Sequence, residues 1–279
     1  MNNSEIENIE VNVLLQVMFD RYGYDFRNYA RASIERRARS FARKNGYDYI
    51  SELIPKILRD EILFEQLLKD FSITVTELFR DPLSYKELKE KVFPILKTYP
   101  FIKIWHAGCA TGEEVYSLAI LLKEEGLYEK ATIYATDFND EALEIARQGI
   151  YPLENMKTFI SNYLQAGGSD VLSNYYFAKH DSVIFDKSLI KNVMFANHNL
   201  ATDSVFGEMN LIMCKNVMIY FDKELQNRVL NMFNESLIHG GFLCLGNKES
   251  LMFSEVQDKF DIVDKVEKIY KKKAEISIE

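Results

Sequence analysis

One short run, Ala107-Gly108-Cys109-Ala110-Thr111-Gly112-Glu113-Glu114, constrains this chain more than any other feature. The apolar stretch Phe101–Trp105 precedes it, and a helical pattern from Val115 to Lys123 follows. Strand, glycine turn and helix in that order open a strand–helix–strand crossover. The alternation continues downstream. Ala131–Thr136 reads as a strand closed by Asp137, residues 140–148 as a helix, and Met209–Cys214 as a buried strand. A helix is predicted over Lys223–Ile238, stopped by Gly240-Gly241, with a strand at Phe242–Leu245. Phe260–Val263 and Val266–Tyr270 read as a hairpin turned at Asp264-Lys265. Strands alternating with helices demand a largely parallel sheet with helices on both faces, an α/β fold.

From 151 to 190 the alternation lapses. Gly167-Gly168-Ser169-Asp170 reads as a turn, while Tyr175–Phe177 and Val183–Phe185 are short strand-like runs. The expectation is a small antiparallel β-subdomain inserted at 151–190 of a domain spanning 101–279.

Residues 1–72 carry a different texture, expected as a separate helical domain, with 73–100 as linker and lead-in helix. Ile6, Val13, Leu14, Val17 and Met18 fall at helical spacing before Gly23, and Ile34, Ala38 and Phe41 share a face in a stretch from about Phe26 to Lys44. Asn45-Gly46 suits a C-cap. Two shorter helices are expected around 47–58 and 60–70. The formal charge of the whole chain is −8, which argues against a nucleic-acid binder, since phosphate neutralisation needs a basic surface. That average hides a segregation. Residues 21–44 hold eight basic groups against Asp25 and Glu35, leaving the window at +6 and the rest at −14. Arg36, Arg39 and Arg43 lie at i, i+3 and i+7, a basic face suited to an acidic partner.

No basic start followed by an apolar run opens the sequence, and no stretch has the ~18 uncharged apolar residues of a membrane span. Cys109, Cys214 and Cys244 are too few and too scattered for a disulfide framework. The expectation is a reduced, cytoplasmic protein with no membrane insertion.

The glycine turn lacks the Gly-Lys-Ser/Thr of a phosphate loop, and the third glycine of a dinucleotide fingerprint is missing. Carboxylates Glu113 and Glu114 follow the glycines instead, where an anionic phosphate is repelled and a cationic ligand such as S-adenosylmethionine is favoured. Asp137, 25 residues beyond Gly112, is placed to accept both hydroxyls of a ribose. Its competing role is as N-cap of the following helix.

Four segments together resemble the chemotaxis receptor-glutamate O-methyltransferases, the CheR family. They are Thr74-Val-Thr-Glu-Leu-Phe-Arg80-Asp-Pro, Trp105-His-Ala-Gly-Cys-Ala-Thr-Gly-Glu-Glu-Val-Tyr-Ser117, Ala146-Arg-Gln-Gly-Ile-Tyr151 and Asn216-Val-Met-Ile-Tyr-Phe-Asp222. The resemblance runs from about Arg36 to Tyr270. It implies a helical N-terminal domain and a Rossmann-like S-adenosylmethionine-dependent methyltransferase domain with an inserted β-subdomain. It implies a cofactor site of Thr74, Thr76, Arg80, Gly108, Glu114, Asp137, Asn199, Leu200, Lys215 and Asn216. Arg80 and Tyr220 are the implied catalytic residues, beside the transferred methyl. The implied reaction converts S-adenosylmethionine to S-adenosylhomocysteine and methylates glutamates on the cytoplasmic helical domain of chemoreceptors, which Arg36, Arg39 and Arg43 would contact. A monomer with no metal is expected. Three features depart from the family pattern: Lys215 stands in place of Arg, His106 in place of a small residue, and Asn247-Lys-Glu-Ser250 in place of Gly-His-Ser-Glu.

Two other classes compete: a methyltransferase for a different acceptor, and a non-catalytic cofactor-binding adaptor. Amino-methylating nucleic-acid enzymes use an Asn/Asp-Pro-Pro-aromatic turn where this chain reads Asn216-Val-Met-Ile.

Overall fold

The computed structural model describes residues 1–72, 76–205 and 207–274. The chain forms two compact units. One comprises residues 1–73 with the later segment Ile219–Arg228, and the other comprises 74–218 with 229–279.

The first unit is helical. Helix α1 (Asn3–Tyr22) starts in a reciprocal capping box, the Asn2 side chain accepting from the Glu5 N–H while Glu5 reaches back to the Asn2 N–H. Left-handed Gly23 closes it. Its buried stripe is Val11, Leu14, Leu15 and Met18, an i, i+3, i+4, i+7 set; Ile6 and Val13, expected on that face, are exposed. Helix α2 (Arg31–Lys44) begins later than the spacing predicts. The residues before it are engaged elsewhere: Tyr29 bridges to Phe221, and the Ala30 N–H donates to the Tyr220 carbonyl at 2.7 Å. Buried Ile34, Ala38 and Phe41 confirm the predicted face of α2. A 3₁₀ turn at Ile50–Leu53 leads into α3 (Ile54–Ile57), and Asp60 caps α4 (Glu61–Phe71) by accepting from the Leu63 N–H. Tyr22 stacks on Phe64 with ring centroids 3.7 Å apart.

In the second unit, short helices α5 (Pro82–Glu87) and α6 (Phe93–Leu96) lead into β1 (Ile102–Ala107) and α7 (Glu113–Glu124). Then come β2 (Ala131–Asp137), α8 (Asp140–Gln148), β3 (Ile150–Pro152), α9 (Met156–Gln165), β4 (Tyr176–Lys179), β5 (Ser182–Phe185) and β6 (Val193–Asn197). The chain continues through β7 (Met209–Cys214), α10 (Lys223–Ser236), β8 (Leu237–Leu245), β9 (Phe260–Asp264) and β10 (Ile269–Lys272). Seven strands form one sheet in the order β6-β2-β1-β7-β8-β10-β9. Strands β6, β2, β1, β7 and β8 run parallel, and β10 is antiparallel to both its neighbours. This is a Rossmann-like sheet closed by an antiparallel hairpin. A separate three-stranded antiparallel sheet, β3-β5-β4, is the expected insertion.

Two sequence readings need correction here. Gly240-Gly241 do not stop a helix, because α10 already ends at Ser236 and both glycines lie within β8. They serve an irregularity in the pairing, which passes from Met209↔Leu237 directly to Leu211↔Phe242. A Cβ on Gly241 would meet the Ile238 carbonyl oxygen at 2.9 Å, so glycine is needed where the chain bulges. Edge strand β6 was not legible: it is half exposed, with Met194 facing solvent, and lacks the apolar run of its neighbours. No described helix is long and apolar enough to cross a membrane.

Candidate functional site

Parallel strands carry their ligands at their carboxyl ends, and that edge gathers most of the sequence-selected residues of the second unit. The glycine turn follows β1, and Asp137 ends β2. The His198 N–H donates to the Asp137 carbonyl at 3.1 Å, bringing Asn199 and Leu200 after β6 to the same place. Lys215 and Asn216 follow β7. Segment 79–80 is tied in from outside the sheet: the Phe79 N–H donates to Ser117 Oγ at 2.7 Å, and Lys215 Nζ to the Arg80 carbonyl at 2.7 Å. Thr74 lies outside the described residues. Tyr220 belongs to the helical unit.

The turn is built by close packing as much as by flexibility. Gly108 (φ +72°) and Gly112 (φ +92°) are both left-handed. A Cβ on Gly108 would meet Val217 Cγ2 at 2.5 Å, and one on Gly112 would meet Ala146 Cβ at 2.6 Å. The Gly108 and Cys109 N–H groups both donate to the Thr136 carbonyl, at 2.8 and 2.9 Å. Four non-glycine residues nearby, Phe79, Asp81, Ala110 and Asn216, also hold positive φ. Such conformations cost about 1–3 kcal/mol each and concentrate at functional sites.

Asp137 is not the N-cap of α8. Asn139 takes that role, accepting from the Glu141 and Ala142 N–H groups. The Asp137 carboxylate instead receives the Ala110 N–H at 2.9 Å and the Asn139 N–H at 3.0 Å, joining the turn to the end of β2. Burial raises its pKa, while those backbone donors hold it down. The Phe138 N–H adds a third backbone donor, and a carboxylate with about four acceptor sites still has room for a hydroxyl donor.

The carboxylates after the turn are not the free negative pair that the sequence reading expected. Glu114 Oε1 accepts from Lys215 Nζ at 3.0 Å and from the Tyr85 hydroxyl at 3.0 Å. The ammonium also lies 4.6 Å from the Tyr85 ring centroid. Lys215 thus fills its place as a compact cation with three partners rather than as a planar fork. Glu113 accepts from Thr111 Oγ1 at 2.7 Å, and burial pushes its pKa up to about 7. Neither group offers a full unpaired charge at neutral pH. His106 is buried on β1 with no hydrogen-bond partner on either ring nitrogen among the described residues, and burial lowers its pKa to about 4. It is a neutral core residue.

Two of the selected residues have unmet polar capacity. Thr76 Oγ1 and Asn216 Oδ1 are buried with no hydrogen-bond partner among the described residues. Orphaned buried polar atoms fit a polar ligand such as a nucleoside, and that of Asn216 belongs to the loop whose Val217 packs on Gly108. Asn199 is spent largely on its own loop, its Oδ1 accepting from the Ala201 N–H at 3.0 Å, and Leu200 is buried beside it. Sequence reasoning missed Glu249, whose buried carboxylate accepts backbone N–H groups from the loops after both β7 and β8. The segment Asn247-Lys-Glu-Ser250 stands out only as a departure from the family pattern, with no role given to its carboxylate.

In the helical unit, Arg36, Arg39 and Arg43 are all exposed on α2, opposite its buried face. Arg39 is engaged, its guanidinium 2.6 Å from Glu7.

Residues 74–269 match the family described as CheR methyltransferase, SAM binding domain, and residues 9–72 match CheR methyltransferase, all-alpha domain. The chain is 47% identical over 272 residues to the protein Cher3 of Pseudomonas putida, covering 98% of this chain and all of that one. It is 28% identical over 264 residues to a chemotaxis protein methyltransferase of Borreliella burgdorferi, covering 89% and 90% of the two chains. A chemotaxis protein methyltransferase of Vibrio parahaemolyticus is 34% identical over 194 residues, covering 66% and 67%. Similarity to solved structures is looser: PKMT2 of Rickettsia typhi aligns over 58% of this chain and 24% of its own, with 19% identity and a TM-score of 0.34.

Proposed function

Since this chain belongs to the CheR methyltransferase family, we propose that it methylates glutamate side chains of chemoreceptors, giving methyl esters in sensory adaptation. That it is an S-adenosylmethionine-dependent methyltransferase comes with the family; the acceptor is the finer reading. The observation that carries it is the pairing of a matched SAM-binding domain with a matched all-alpha domain whose α2 presents Arg36, Arg39 and Arg43 to solvent. An exposed basic helical face suits an acidic helical partner. The names of the relatives at 28–34% identity point the same way.

When bound, S-adenosylmethionine supplies an electrophilic methyl on a sulfonium. A glutamate acceptor, with an ordinary pKa near 4.3, is already ionised at neutral pH, so this chain needs no strong base. Its task is to position and to exclude water, because charge vanishes as the methyl moves and water favours the separated ions. Arg80 has a planar fork of donors that orients a carboxylate oxygen. Too tight a clamp would blunt the nucleophile, so its part is orientation. Thr76, Asp137, Lys215 and Asn216 hold the cofactor in this reading, with Thr74, Gly108, Glu114, Asn199 and Leu200 completing the set. Lys215 offsets Glu114, so no unpaired anion at that position competes with the acceptor carboxylate. Tyr220, carried by the helical unit, is the resemblance's second catalytic assignment, and Tyr220→Phe tests it.

The deciding experiment incubates the chain with labelled S-adenosylmethionine and membranes bearing native chemoreceptors, then locates the label by mass spectrometry. Base-labile methyl on receptor glutamates is the expected result. Label on another class of acceptor, or none, would overturn the reading.

A further inference from the structure

Glu249 sits in the loop after β8, almost fully buried, and its carboxylate is filled by four backbone donors. Oε2 accepts from the Asn216 N–H at 3.0 Å and the Gly246 N–H at 2.7 Å. Oε1 accepts from the Val217 N–H at 2.9 Å and the Met218 N–H at 2.7 Å. Three of these donors belong to the loop after β7 and one to the loop after β8, so one side chain joins the two strand ends. The Glu249 N–H returns a bond to the Gly246 carbonyl at 2.8 Å. Gly246 is fitted to this arrangement: a Cβ there would meet the Asn216 nitrogen at 2.7 Å and Glu249 Oε2 at 2.8 Å.

The joined loop carries Asn216 in a left-handed conformation, φ +60°, which asparagine tolerates better than most non-glycine residues but less readily than glycine. It also carries the buried, unpartnered Asn216 Oδ1. We propose that Glu249 is the positioning residue of the cofactor site, an anionic latch that holds the backbone of residues 216–218 so that Asn216 presents its amide to the cofactor. The inference rests on the proposed cofactor role of Asn216. An ionised carboxylate suits the task because both oxygens accept without donating, whereas a glutamine would turn N–H groups toward two of the donors. Burial raises the Glu249 pKa and the four backbone N–H groups oppose that rise, which is the balance a latch of this kind needs.

The test uses the full chain. In Glu249→Gln, the Kd for S-adenosylhomocysteine, measured by calorimetry, should rise roughly tenfold or more, the cost of leaving buried donors unmet. The KM for S-adenosylmethionine should rise with it, and kcat at saturation should fall less. A purely structural role would lower the Tm yet leave the Kd of the folded chain unmoved. Should Glu249→Gln fail to fold, Gly246→Ala disturbs the latch from the opposite side and should give the same loss of affinity. A Kd within twofold of wild type in the folded variant overturns the proposal. Asn216→Ala separates the two levels. If it weakens binding while Glu249→Gln does not, the latch fails; if it too changes nothing, the placement of the cofactor is at fault.

Discussion

Lys215 Nζ lies 3.0 Å from Glu114 Oε1, with side chains only 0% and 6% exposed, across 101 residues of sequence. A buried pair of this kind is costly to break from one side, because the remaining charge has no water to turn to. Lys215→Met should destabilise the chain by about 3–5 kcal/mol in urea unfolding. Lys215→Met/Glu114→Gln should recover much of that loss, since no lone charge remains. A single variant as stable as wild type would show that the pair contributes nothing.

Arg80→Ala should leave the urea midpoint nearly unchanged and reduce methyl transfer about a hundredfold, the scale of a lost positioning contact. The measurement is initial rate with radiolabelled cofactor at saturating acceptor. Unaltered turnover removes Arg80 from the chemistry.

Asp137 and Asn139 stand two residues apart and should separate cleanly. Asp137→Ala should weaken S-adenosylhomocysteine binding at least tenfold, since a buried acceptor for ribose hydroxyls and for the Ala110 N–H is lost. Asn139→Ala should cost about 1 kcal/mol of stability as a lost helix cap, with a smaller change in affinity. Calorimetry and thermal unfolding on both variants check the contrast.

Glu113 sets a dependence on pH. Its pKa is raised from 4.5 to about 7 in the folded chain, so the folded state holds a proton that the unfolded state releases. The associated stability is fully present below about pH 4.5 and is lost as the pH rises through about 7. Glu113→Gln should therefore be more stable than wild type at pH 8, by up to about 3 kcal/mol, with the advantage vanishing toward pH 4.5. Equal differences at both pH values would contradict the assignment.

The proposed receptor contact through α2 is electrostatic and should weaken with salt, since exposed charges are screened beyond about 10 Å at 0.1 M. Arg36→Glu/Arg43→Glu should reduce affinity for receptor fragments in surface-plasmon measurements, and raising salt from low to high should erase the difference. Arg39→Glu should do less, because Arg39 already pairs with Glu7. Salt-independent binding would rule the face out.

Much of the architecture is readable because it is local. The glycine turn, the helix caps at Gly23 and Asn45, and the apolar face of α2 follow from residues close in sequence. The hairpin of β9 and β10 is likewise apparent, with a turn two residues longer than expected. The failures share a physical cause, which is partnership at long range. The charge logic of Glu113 and Glu114 missed Lys215, because nothing near the glycine turn announces a cation 101 residues away. Glu249 escaped because its partners are backbone groups, which have no sequence signature. Gly240-Gly241 misled because a glycine pair marks a bulge and a helix stop equally well.

The segment Ile219–Arg228 groups with helices made from the first 73 residues. During synthesis, those helices leave the ribosome long before the piece that completes them. The Ala30 N–H finds the Tyr220 carbonyl, and Tyr29 finds Phe221, only after some two hundred further residues have been made. A fragment cut after residue 72 would lack those partners from the start. The helical unit thus begins the sequence yet is complete only once residue 228 has been made, and a simple truncation cannot yield it intact.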